Sequence, residues 1–187
     1  MQATELNAAG ENQYFTVSQY KFSVMYIMTL GLYSVYWFYK NWKLQQPYME
    51  KTIWPTWRAV FSIFFTHSLF ERIRLSAEQR HITTNYSYGV MATSFVVLMI
   101  VGNVLGNLET EDSFGVISII SVLILMIALY PLYMVQDTIN QLNNDPHGVF
   151  NNDITLINYV FIVLGFLIWL ILFLLALVNF GVIHIAA

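Results

Sequence analysis

The residues able to do chemistry are few and scattered. His67, His81, His147 and His184 fall in different segments, and none has the H-E-x-x-H spacing that builds a zinc site on one helix. There are no cysteines, which excludes disulfides, thiolate metal sites and iron–sulfur clusters. No G-x-S-x-G elbow, P-loop or glycine-rich nucleotide fingerprint occurs. His67, Glu71 and Arg58 form the one set of titratable groups that would serve a reaction on lipid at a membrane interface. Glu71 with Arg72 and Arg74 also reads as an ordinary solvated helix end. The expectation is a protein that is not an enzyme, with no catalytic residue, no cofactor and no metal.

Residues suited to binding are more concentrated. Tyr33 to Lys43, YSVYWFYKNWK, has six aromatics in eleven residues and ends in two lysines. Tyr and Trp prefer the headgroup level of a bilayer, and lysine reaches from there to water. A polar loop containing Pro47 then leads to Trp54, Trp57 and Arg58. Lys40, Lys43 and Arg58, framed by Trp37, Trp42, Trp54 and Trp57, suit the phosphate of an anionic lipid. An aromatic belt with snorkelling lysines has the same composition.

Two further sets have contact chemistry. Gly102 and Gly106 make a small-xxx-small pair, with Asn103 and Asn107 one position later, as at close helix contacts in membranes. Gln136, Asp137, Asn140, Asn143 and Asn144 line a polar helix face, which reads as a cytoplasmic docking surface or a solvated extension. Leu132, Val135, Ile139 and Leu142 form an apolar stripe on the same helix, before Asp145-Pro146 stops it.

The elements that must position these residues are membrane helices. The 187 residues are 57% hydrophobic and 10% charged, against about 25% charged in soluble chains. A spanning helix needs about 20 apolar residues. Such windows lie at about 22–39, 89–108, 115–135 and 156–180. Residues 55–75 form a weakly amphipathic helix, interfacial or re-entrant, or else a fifth span. The fold class is all-α: a polytopic helical bundle with four spans, or five, in one membrane domain, 19–187. Residues 1–18 read as a polar tail, disordered or loosely docked, and no cleavable signal peptide is visible.

Of eight lysines and arginines, seven lie between Lys40 and Arg80, and the other is Lys21. The positive-inside rule therefore makes residues 71–88 and 136–153 cytoplasmic and the C-terminus external. Four spans put the N-terminus outside, five put it inside. A net charge of −3 with no basic arm predicts no nucleic-acid partner.

GLYSVYWFYKNWK, WPTWRAVFSIFF with HSLF, and VQDTINQLNN resemble an uncharacterised family of small bacterial multi-spanning inner-membrane proteins. Its members share a YWFYKNW-like helix end and an RAxFxxFF-like segment, and the likeness covers about residues 20 to 145. It implies the bacterial cytoplasmic membrane and a domain of unknown function, with no catalytic residue to carry over. The expected function is a contact protein, an accessory or assembly subunit, with the bilayer, an anionic lipid, a membrane protein or further copies of itself as partners. A small oligomeric transporter or channel lined by Asn103, Asn107, Asn158 and Asn179 is the alternative. Against it, the three later spans contain no ionisable residue.

Overall fold

The computed structural model describes residues 12–108 and 114–182. The described residues form seven α-helices: α1 (Gln19–Met28), α2 (Tyr33–Gln45), α3 (Pro55–Val60), α4 (Ser62–Gln79), α5 (Tyr88–Leu108), α6 (Phe114–Leu142) and α7 (Leu156–Asn179). The described part is all-helical. Three helices are long and apolar enough to cross a membrane: Tyr88–Leu108, Gly115–Leu142 and Leu156–Asn179.

The predicted first span, 22–39, is not one helix. α1 stops at Met28, and Leu30 and Gly31 adopt φ of 51° and 82°. The Gly31 amide donates to Tyr26 O and the Leu30 amide to Ile27 O, the paired bonds of a Schellman motif. The Thr29 hydroxyl donates to Met25 O at 2.7 Å and accepts from the Tyr33 amide at 2.9 Å, so one side chain joins the two helix ends. Gly31 has a left-handed φ, which favours glycine, and a Cβ there would press on the tip of the Leu125 side chain, 2.8 Å from its Cδ1. Helices of 10 and 13 residues reach about 15 and 20 Å, short of a hydrocarbon core of roughly 30 Å.

α1 and α2 form a hairpin. Lys21, early in α1, lies beside Asn151 and Asp153 just before α7, while Met28 meets Gly165 well inside α7. The turn touches Leu125 of α6. α2 then runs back along α6, so that Trp37 reaches Gln136. Both ends of the hairpin thus lie at one end of the long helices.

The predicted 55–75 helix is also divided. Pro55 opens α3, Phe61 (φ −97°, ψ 39°) breaks the ladder, and α4 continues to Gln79. Residues 12–18, expected as part of a polar tail, form no helix, and 14–18 are packed in the core: Tyr14 and Val17 are fully buried. The rest of that predicted tail, 1–11, lies outside the described residues.

The core gathers at one end of the spans. In α5 the buried residues are Tyr88, Ala92 and Phe95, all in its first turns. In α6 nearly all buried positions run from Ala128 to Leu142, with Gly115 a separate contact against α7. Around them pack the aromatics of α1, α2 and α4, with Phe22, Trp37, Phe38, Phe70 and Phe95 in successive ring contacts. The remainder of the spans is apolar and exposed.

Candidate functional site

The polar face of α6 is a clamp. Gln136 and Asn140, fully buried, hold the extended segment 14–18 by its backbone. Gln136 Nε2 donates to Phe15 O at 3.1 Å and to Asn140 Oδ1 at 2.7 Å, and its Oε1 accepts from Trp37 Nε1 at 2.5 Å. Asn140 Nδ2 donates to Val17 O at 3.0 Å, and its Oδ1 accepts from the Val17 amide. Asn143 donates to Tyr14 O and to Thr16 Oγ1. From the other side Asn41 Oδ1 accepts from the Phe15 amide at 3.0 Å. Tyr14 OH shares a 2.8 Å hydrogen bond with Ser76 Oγ, and burial pushes its pKa up to about 12. Extended backbone without a sheet needs partners for its N–H and C=O groups, and the amides of α2 and α6 supply them. The expected docking surface therefore serves a segment of its own chain. Asp137, bonded to Gln141, and Asn144, exposed with φ 55°, lie outside the clamp.

The predicted headgroup patch is split. Trp37 and Trp42 are fully buried in the core, whereas Trp54 and Trp57 are exposed. The Arg58 guanidinium lies over the rings of Trp42 and Phe65, at 4.4 and 4.9 Å to the centroids. Desolvation, and then the nearby charge of Arg72, lower its pKa. Lys43 lies over Tyr39, and Lys40 over Phe15 at 5.4 Å. These cations are held by ring faces, a geometry worth about 0.5–2 kcal/mol each. Each lysine therefore has its own ring, apart from the two that hold Arg58.

Of the predicted packing glycines, a Cβ on Gly102 would sit 3.5 Å from Ile124 Cγ2 of α6, in ordinary contact, while Gly106 faces open space. Asn103 and Asn107 are exposed, with Asn107 donating to Asn103 O and Oδ1. The close approaches lie elsewhere. A Cβ on Gly165 would overlap the carbonyl oxygen of Met28, so α1 and α7 touch backbone to backbone there. One on Gly115 would sit 2.5 Å from Asn179 Oδ1.

The residues considered for interfacial catalysis each have other partners. His67 bonds Thr93 Oγ1 at 3.0 Å, Glu71 pairs with Arg74, and Arg58 lies on its rings. No group of three His, Cys, Asp or Glu side chains able to hold a metal occurs among the described residues. Of the residues expected to line a pore, Asn103 and Asn107 bond each other on α5. Asn158 closes a capping box with Thr155 at the start of α7, and Asn179 ends that helix beside Gly115.

Sequence reasoning missed a groove of about 700 Å³ between α1 and α7. Its walls are mainly apolar, among them Met25, Met28, Leu164 and Ile168. Lys21 lies at one end, 5% exposed, donating to Asn151 Oδ1 and Asp153 O, each at 2.7 Å. A lysine one residue before an apolar run was the available signal. The chain matches no protein-family model, no curated protein and no solved structure.

Proposed function

We propose that this chain is a non-enzymatic integral membrane protein of the bacterial cytoplasmic membrane, working through helix, lipid or protein contacts as an accessory or assembly subunit. One observation carries the reading: of the 24 residues of α7, Gly165 alone is buried. An apolar helix left so bare finds its neighbours in the bilayer or on another protein. The exposed amides of Asn103 and Asn107 give α5 a polar grip of the kind that holds helices together. On this reading residues 71–88 and 136–153 are cytoplasmic and the C-terminus is external, from the crowding of cations between Lys40 and Arg80.

Affinity purification in mild detergent tests it. A stoichiometric membrane-protein partner is the expected result. A homo-oligomer that conducts ions or solutes in liposomes would replace this reading with the transporter or channel.

A further inference from the structure

The groove between α1 and α7 combines three properties. Its volume of about 700 Å³ lies within the range of roughly 300–1,000 Å³ typical of sites for one small ligand. From Ile157 to Ile168 it follows α7 for about 16 Å, close to one leaflet of a core roughly 30 Å thick. Its polar end holds a buried ammonium that makes no direct ion pair among the described residues, the Asp153 carboxylate acting on it only from a distance. Two of the three Lys21 ammonium hydrogens go to the amide oxygen of Asn151 and the backbone oxygen of Asp153. Among the described residues no carboxylate lies within ion-pair distance of Lys21. The start of α7 also adds the positive end of its dipole beside Thr155 and Asn158. Lys40 lies over the ring of Phe15, itself a lining residue.

We propose that this groove holds one anionic phospholipid, with its phosphate at Lys21 and one acyl chain along Met25, Met28, Leu164 and Ile168. An acyl chain satisfies the apolar walls over a leaflet's depth, and the phosphate neutralises the buried ammonium. A zwitterionic lipid offers the same chain but adds a positive charge near Lys21. The site differs from the Lys40, Lys43 and Arg58 patch, whose cations lie on ring faces. It rests on the reading of this chain as a membrane contact protein.

The test uses the purified full chain in mild detergent, incubated with phosphatidylglycerol or phosphatidylcholine of identical acyl chains and read by native mass spectrometry. Wild type is expected to keep one phosphatidylglycerol with a preference of roughly fivefold or more, the size set by one charge near anionic lipid. Lys21→Met should erase the preference while a chain of either type still enters. Leu164→Trp should block the groove and reduce retention of both lipids, with Lys21 and its hydrogen bonds left in place. Unchanged retention in Leu164→Trp overturns the proposal whatever Lys21→Met does. So does displacement of the lipid by inorganic phosphate alone, which would make the site one for a free anion. Because retention is read without any partner protein, failure here is separate from failure to find a partner.

Discussion

At the scale of single residues, the side chains that matter most are uncharged. Asn140 satisfies both backbone groups of Val17 and takes a hydrogen bond from Gln136, all out of contact with water. Asn140→Leu leaves the Val17 amide unpaired and takes from Val17 O and Gln136 Nε2 their shorter hydrogen bonds, although Gln136 Nε2 still reaches Phe15 O and Val17 O; an orphaned buried group costs about 1–3 kcal/mol. The variant is expected to lose about 1–3 kcal/mol in a detergent unfolding titration and to expose the segment 12–18 to protease. Asn144→Gly should change stability by less than about 0.5 kcal/mol, since Asn144 is exposed and already left-handed. Arg58 offers a second test. Its guanidinium lies over the rings of Trp42 and Phe65, and lysine keeps the charge but loses the delocalised, weakly hydrated head. Arg58→Lys should cost about 1 kcal/mol in the same titration. An unchanged midpoint would mean that the charge alone holds the contact.

At the scale of elements, the hinge points are Leu30–Gly31 and Gly165. Leu30 occupies the left-handed position of the Schellman turn, where glycine is usual, so Leu30→Gly should stabilise by up to about 1 kcal/mol. Gly165→Ala forces α1 away from α7 and is expected to lower the melting temperature in detergent clearly, whereas Gly106→Ala should not. The contrast explains what was legible. The three long helices follow from hydropathy, because a run such as Leu156–Asn179 is long and apolar enough to cross a bilayer. The buried stripe of Leu132, Val135, Ile139 and Leu142 was readable from its spacing. The break at 29–32 was not, since the apolar run continues through it and Gly31 alone is common in membrane helices. Gly102 and Gly106 carry a recognised spacing, but spacing does not say which face meets a neighbour. Gly165, with no glycine four residues away, is where two backbones meet. The clamp was half legible: Gln136, Asn140 and Asn143 stood out as one polar face, yet their ligand, the backbone of residues 14–18, has no side-chain signature.

At the scale of the whole molecule, the hairpin alters how the chain is threaded. In the four-span alternative, counting 22–39 as a span places the N-terminus opposite residues 136–153. The clamp ties residues 14–18 directly to Asn140 and Asn143, and Asn151 Nδ2 donates to Thr16 O at 2.9 Å. Those segments therefore share one end of the bundle, joined there by Arg80, which donates to Leu142 O. Three spans then connect this end to the far end of α7. All eight lysines and arginines precede the first of them, and Lys21 lies at the same end as Asn151. The positive-inside rule thus acts on one contiguous mass of chain rather than on separate loops. The absence of cysteine makes the arrangement measurable, because any single introduced thiol is the sole target of a maleimide. Asn12→Cys and His147→Cys should both be protected from an impermeant maleimide in intact cells and react once the inner membrane is opened. Val182→Cys, past the end of α7, should react from the outside. A reactive Asn12→Cys beside a protected His147→Cys would restore the first helix as a span and remove the hairpin from the membrane-embedded protein. The clamp argues against that outcome, since separating the two segments across a bilayer would strip Val17 and Tyr14 of the backbone partners that Asn140 and Asn143 now provide.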